Sequence, residues 1–378
     1  MDLSLFALVL ALAYANGTND VSKAIATLVG SGVTSYRTAV IWGTIWTTVG
    51  AAASGVVAGA MLNTFSSGLI QPGVAAPPAL AGAVLLGAIA WVLVASHTGL
   101  PVSTTHALTG ALVGGGLVAI GSDGLTWSGI TQKIALPLLL SPVLALSLSL
   151  VLHPMIRVIA GRWEGTCLCV MPASRALVTV DAHGNTRTLF QASALGQPVV
   201  AVPSQCDRAG LQGVTVGLDT IHWISSGLTS LARGVNDAPK ILAMLLLGGA
   251  VATWPSDTLK VAAFAGAALA MGLGSFIGGY RVIEVLAEKV TRMNHVEGLS
   301  ANVATSALVL ITATMGLPVS TTHVGSSAII GIGLLKGLRA VCWATVRDMV
   351  LAWLVTLPVA GLLAGLAYVI LNRLLSQA

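Results

Sequence analysis

Long apolar runs separated by short polar breaks dominate this chain. Runs of about 20 residues, the length that crosses the hydrocarbon core of a bilayer, fall near 3–31, 38–62, 79–97, 103–121 and 134–160. A second set falls near 219–250, 257–279, 299–315, 320–336 and 343–371. Each predicts a helix. The shorter ones, 79–97, 299–315 and 320–336, abut a Gly-Leu-Pro break and are expected as half-helices or hairpins. One long polar stretch, 161–210, interrupts the series. Within it 166–170, 176–180 and 186–190 read as short strands, with 181–185 as a turn between two of them.

The two sets of runs are copies. Gly-Leu-Pro-Val-Ser-Thr-Thr-His occupies 99–106 and again 316–323, an offset of 217 residues. Asn19-Asp20 recurs as Asn236-Asp237 at the same offset, and in each half 84 residues separate this Asn from the first Ser of the octapeptide. A shared spacing of this kind marks an internal duplication. Five segments per copy is an odd number, so the second copy enters the membrane upside down. The expected fold is therefore an all-α polytopic membrane protein, an inverted-topology repeat of two five-segment halves with broken helices and hairpins. Its parts are a first repeat over 1–160, a cytoplasmic insertion over 161–210 and a second, inverted repeat over 211–378.

Composition agrees. Charged residues make up 8% of the chain and hydrophobic ones 55%, against about 25% charged in a soluble domain. The 43 glycines suit close helix packing in lipid. Residues 1–15 lack a basic start, and polar Asn-Gly-Thr-Asn-Asp follows directly, so a cleaved signal peptide is not expected. The net charge of +5 is explained by location and not by nucleic-acid binding. When the connections are numbered alternately, twelve basic residues collect on one side: Arg37, Arg157, Arg162, Arg175, Arg187, Arg208, Arg281, Lys289, Arg292, Lys336, Arg339 and Arg347. Only Lys133, Lys260 and Arg373 fall on the other. The positive-inside rule puts the twelve in the cytoplasm and both termini outside. Cys167, Cys169 and Cys206 lie in the insertion and should stay reduced there.

The candidate chemistry sits inside apolar sequence. Asp20 and Asp237 each carry an insertion cost of at least ~3 kcal/mol at mid-bilayer. Each could simply pair with Lys23 or Lys240, one helical turn on. The glycines Gly17 and Gly234 and the polar crowd Asn16, Thr18 and Asn19 point further, to a broken helix whose freed carbonyls face a cation. Asp20 and Asp237 are therefore candidates for a coupling cation, with Asn19 and Asn236 as neutral ligands. Lys23 and Lys240 are either counter-ions, stems reaching the interface, or attractors of an anion. Arg233 reads as an interfacial or gating residue. In the octapeptides Gly-Leu-Pro halts one helix, and Ser103, Thr104, Thr105 and Ser320, Thr321, Thr322 stand where the next begins. Helix N-termini with hydroxyls and free N–H groups make an oxyanion site without a basic residue. His106 and His323 read as packing or hydrogen-bonding residues, with proton coupling as the alternative; His97 and His222 have no assigned role. No nucleophile with its base, P-loop or zinc site is visible.

Gly17-Thr18-Asn19-Asp20-Val21-Ser22-Lys23-Ala24, followed by Leu28-Val29-Gly30-Ser31-Gly32, resembles the signature of the inorganic phosphate transporter (Pit) family. Gly234-Val235-Asn236-Asp237-Ala238-Pro239-Lys240 is similar to its second copy, and the octapeptides to its paired serine/threonine loops. The resemblance covers both membrane halves; the insertion has no counterpart in it. It implies a secondary transporter importing inorganic phosphate with Na+ or H+, no cofactor, and a homodimer in the inner membrane. On it, Ser103, Thr104, Thr105, Ser320, Thr321 and Thr322 hold phosphate, and Asn19, Asp20, Asn236 and Asp237 contribute to the cation and phosphate sites. Lys23 departs from the family's usual Asn and puts the stoichiometry in question. The alternatives are a permease for another oxyanion such as sulfate, or a passive anion channel; an enzyme is not expected. Phosphate, which still carries a proton to donate to a carboxylate, fits Asp20 and Asp237 better than sulfate does.

Overall fold

The computed structural model describes residues 3–66, 68–161, 167–171, 174–180, 186–192, 197–201, 215–247 and 257–377, with the backbone alone across 167–216. The first half runs α1 (Leu3–Asp20), α2 (Ser22–Gly30), α3 (Tyr36–Val57), α4 (Gly59–Ser66), α5 (Pro78–Thr98), α6 (Thr104–Ile120) and α7 (Trp127–Ala160). The second half runs α8 (Leu218–Leu247), α9 (Asp257–Ile277), α10 (Tyr280–Glu288), α11 (His295–Thr314), α12 (Thr321–Leu335) and α13 (Trp343–Gln377). Among the described residues, α3, α5, α7, α9, α11 and α13 are long and apolar enough to cross a membrane; α6 and α12 are shorter apolar helices.

Over their described residues the ten apolar runs are helical, with adjustments, and 38–62 is broken at Ala58 between α3 and α4. The run 3–31 is split at Val21, whose own backbone stays helical (φ −58°, ψ −33°) while its bonds stretch: Val21 N to Gly17 O and Ala24 N to Val21 O are both 3.4 Å. The second copy is not broken. α8 passes through Asn236, Asp237 and Pro239 without a stop, because a proline's φ suits a helix and its missing donor frees one carbonyl, four residues back at Val235. The half-helix expectation also fails for 79–97 and 299–315, since α5 and α11 have 21 and 20 residues. They form hairpins with α6 and α12 across connections of five residues (99–103) and six (315–320).

The insertion contains β1 (Cys167–Met171), β2 (Ser174–Val180), β3 (Thr186–Ala192) and β4 (Gln197–Ala201), and β5 (Thr215–Val216) falls just beyond its expected end at 210. They pair as a β4-β1-β5 sheet and a β2-β3 pair, all antiparallel. The expected strands are present. The expected turn at 181–185, together with Arg162, Cys206 and Arg208, lies outside the described residues.

Element order repeats between the halves, with α1 and α2 together matching α8, α3 matching α9, and so on to α7 and α13. Their contacts come in exchanged pairs. α3 packs on α8 as α9 packs on α1; α6 packs on α13 as α12 packs on α7; α4 packs on α8 as α10 packs on α2. Each half thus completes the other. At the α1–α9 and α3–α8 crossings the backbones touch through glycine. A Cβ on Gly17 would lie 2.8 Å from Ser275 N, and one on Gly274 2.9 Å from the Tyr14 carbonyl carbon. A Cβ on Gly50 would lie 2.8 Å from the Leu231 carbonyl carbon, and one on Gly234 2.5 Å from Ala51 N. Small residues allow this approach where lipid supplies no hydrophobic drive between helices. Gly17 and Gly234 stand three residues before Asp20 and Asp237, so both crossings are at the depth of the carboxylates.

Gly234→Ala should therefore destabilise the protein by about 1–3 kcal/mol, because the obstacle is backbone and cannot rotate away. Gly59→Ala, with nothing within 4 Å of its new Cβ, should be close to neutral. Thermal unfolding in detergent compares the two; equal melting would contradict the glycine crossings.

Candidate functional site

Each octapeptide is a stop signal joined to a start signal. Gly99 and Gly316 take positive φ (79° and 71°), which glycine adopts without strain. Leu100 N then bonds Ala95 O and Leu317 N bonds Thr312 O, both at 2.9 Å, the six-to-one closure of a helix end. Pro101 and Pro318 keep the chain extended. Ser103 and Ser320 cap the next helices, their hydroxyls accepting from His106 N at 3.1 Å and His323 N at 3.2 Å. The N–H groups of the first residues, Thr104, Thr105, Thr321 and Thr322, are left without an intrahelical partner by helix geometry. All six hydroxyl residues are buried.

The two octapeptides meet. Thr322 Oγ1 donates to Val102 O at 2.7 Å, and Thr105 Oγ1 reaches Val319 O at 3.5 Å. These are the same bond with the halves exchanged. The His106 and His323 rings are 4.3 Å apart, and His323 lies 4.0 Å from the Trp353 ring. Trp353 Nε1 donates to Pro101 O at 3.0 Å. The histidines pack by ring contact, and neither His323 nitrogen has a hydrogen-bond partner among the described residues.

Asp20 and Asp237 face this junction and are 1% and 3% exposed. Asn16 bridges them: its Nδ2 lies 2.6 Å from Asp20 Oδ2, 3.2 Å from Asp237 Oδ2 and 3.1 Å from Thr104 Oγ1. Thr104 also donates to Asp20 Oδ2 at 3.3 Å. Lys23 Nζ is ion-paired to Asp20 Oδ1 and donates to Asn19 Oδ1 and Val102 O, both at 3.1 Å. Lys240 Nζ donates to Thr105 Oγ1 at 2.9 Å and Val319 O at 3.0 Å, with Asp237 Oδ1 at 3.5 Å. Asn236 Nδ2 spans Asp237 Oδ1 (2.8 Å) and Val319 O (3.2 Å). Asn19 Nδ2 donates to Ser96 Oγ and Leu100 O. The candidates named from the sequence are thus gathered into one buried cluster, and neither lysine reaches an interface.

Three features were missed. Arg233 is not interfacial. It is 1% exposed, its Nη2 donates to Ser275 Oγ at 3.1 Å, and Ser275 donates on to Gly17 O at 3.3 Å. Its Nε and Nη1 have no hydrogen-bond partner among the described residues. Asn16, its counterpart in the first copy, is the bridge between the carboxylates. The third feature is a buried polar stripe on α8: His222, Ser225, Ser226, Thr229, Ser230, Arg233, Asn236, Asp237 and Lys240. Its three- and four-residue spacing was visible in the sequence, and the counterparts ahead of Asn16 are Leu5, Leu8, Val9, Leu12 and Ala13. The stripe bonds to neighbouring helices, with Ser226 Oγ donating to Ala24 O at 2.8 Å and Thr229 Oγ1 to Asn302 O at 3.2 Å. Asn302 in turn accepts from Thr27 at 3.0 Å.

Comparison with known proteins places this arrangement. The chain matches the phosphate transporter family over residues 16–364. It is 30% identical to a putative phosphate permease of Pyrococcus abyssi, covering 96% of both chains. It is also 30% identical to a probable low-affinity inorganic phosphate transporter of Bacillus subtilis, covering 97% of this chain and 95% of the relative. A solved structure described as the sodium-dependent phosphate transporter shares the fold, with TM-score 0.77, 22% identity and 98% coverage of each chain. The chain belongs to the phosphate transporter family: it is a multi-pass membrane transporter and not an enzyme.

Thr322→Val should cost about 1 kcal/mol of stability, the net worth of an intramolecular hydrogen bond, while Thr322→Ser should retain it. Melting of the valine variant at the wild-type temperature would show that the exchanged threonine bonds do not fasten the halves.

Proposed function

We propose that this chain imports inorganic phosphate by secondary active transport, in symport with Na+ or H+, holding the anion between the N-termini of α6 and α12. The observation that carries this reading is the meeting of the two octapeptides. Their first-turn N–H groups and the hydroxyls of Ser103, Thr104, Thr105, Ser320, Thr321 and Thr322 are buried at one junction. Two positive helix ends with free donors suit a tetrahedral oxyanion from two sides. Ser103 and Ser320 spend an oxygen lone pair on their caps, which leaves each O–H free to donate.

Charge supports the same polarity. Two carboxylates against Lys23, Lys240 and Arg233 leave one formal positive charge in excess within the buried cluster. A net positive interior favours an anion. Asp20 and Asp237, with Asn19 and Asn236, form the cation side of the cycle. The halves are inverted with respect to each other, the loop 161–210 lies in the cytoplasm and both termini lie outside. The distribution of the twelve basic residues supports that orientation.

In proteoliposomes with an imposed Na+ or proton gradient, wild type should accumulate radiolabelled phosphate against its gradient, with little competition from sulfate. Asp20→Asn and Asp237→Asn should each abolish accumulation in folded protein. Ser103→Ala and Ser320→Ala should weaken apparent phosphate affinity about tenfold or more, the cost of one donor to a charged group. Downhill flux without accumulation would make the protein a passive channel, and unchanged affinity in both serine variants would move the anion elsewhere.

A further inference from the structure

The two lysines have surroundings that a monovalent cation would require. An ammonium carries three donors, and Lys23 Nζ has three oxygens around it: Asp20 Oδ1, Asn19 Oδ1 and Val102 O. Lys240 Nζ likewise has Asp237 Oδ1, Thr105 Oγ1 and Val319 O. Each shell combines a carboxylate, a neutral side-chain oxygen and the carbonyl of the Pro-Val-Ser turn, once in each half. The remaining carboxylate oxygens are engaged as well. Asp20 Oδ2 accepts from Asn16 and Thr104, and Asp237 Oδ2 accepts from Asn16. Hard cations such as Na+ bind through oxygens of these kinds, and here the oxygens already surround a tethered positive charge.

We propose that the ammonium groups of Lys23 and Lys240 fill the two positions beside Asp20 and Asp237 that a Na+ ion would need, so that phosphate transport by this chain is coupled to protons and does not use Na+. The inference rests on the proposed symport reading and selects between its two coupling ions. A Na+ ion at either carboxylate would have to displace an ammonium held by three oxygens and leave it buried without a partner, since both lysines are at most 3% exposed. Stranding a buried charge costs more than the ion pair itself contributes. The looser Asp237–Lys240 pair, at 3.5 Å, is the one through which Na+ would intrude most easily if the inference failed.

The test uses the full-length protein in detergent and in proteoliposomes. Melting temperature is measured in sodium chloride and in choline chloride at equal ionic strength, because an ion bound only by the native state must raise it. Wild type should melt within about 1 °C in the two salts, whereas a Na+ site occupied at ten times its dissociation constant would add a measurable increment. Initial phosphate uptake should agree within about twofold between the two salts at a fixed pH gradient, an agreement that no Na+-coupled cycle would show. Na+-dependent stabilisation, or uptake that requires Na+, would overturn the inference. Absence of uptake under every gradient would instead count against the transport reading, with the melting comparison still deciding the cation question. The double variant Lys23→Asn with Lys240→Asn should acquire Na+-dependent stabilisation. If it folds and remains indifferent to Na+, the lysines are not standing in for the ion.

Discussion

Two carboxylates inside a membrane protein must be compensated without water, and the centre of this molecule is arranged around that demand. A charged side chain at mid-bilayer costs at least ~3 kcal/mol on insertion scales, and a buried ion pair is favourable only when its remaining valences are also satisfied. The chain meets both conditions with the same few groups. Lysines one turn along from Asp20 and Asp237 supply charge, Asn16 and Asn236 supply amide donors, and Thr104 supplies a hydroxyl. The lysines' other protons go to Val102 O and Val319 O. Those carbonyls belong to the turns that launch α6 and α12. Charge compensation and placement of the helix N-termini are therefore one structure, and disturbing either disturbs the other.

The exchange of threonine bonds extends this dependence across the duplication. Val102 O receives Lys23 of its own half and Thr322 of the other; Val319 O receives Lys240 and Thr105 in the same way. Neither half can complete its turn alone. Within the octapeptides the serines Ser103 and Ser320 start their own helices, while Thr105 and Thr322 brace the turn of the other half.

Much of this was legible in the sequence because the signals are local. The apolar runs gave the helices, Gly-Leu-Pro-Val-Ser gave the stop and start, and Asn-Asp in both copies gave the carboxylates. What was not legible depends on partners distant in sequence. Arg233 follows Leu231 and Ala232 and reads as interfacial, until Ser275 is brought against it from 42 residues away. The continuity of α8 through Pro239 could not be told from the split at Val21, since both follow a Gly and an Asn-Asp pair. α10 was not legible as an apolar run because Arg281, Glu284 and Glu288 break up its sequence, although Val282, Ile283, Leu286 and Ala287 form a buried face opposite them. The orientation of Lys23 and Lys240 toward the junction, instead of along their stems to an interface, is a tertiary fact.

The glycine contacts have a mechanical consequence. Gly17 on Gly274 and Gly50 on Gly234 are points where backbone rests directly on backbone, and each lies within one turn, about 5 Å, of a carboxylate. A rigid body turning on such a point moves least at the fulcrum and most at its far ends. α8 extends 16 residues from Gly234 back to Leu218, roughly 24 Å at the helical rise, so a small tilt there becomes a wide sweep at the tip. The charged cluster sits at the pivots of two crossed levers, in the part of the molecule that such a tilt moves least.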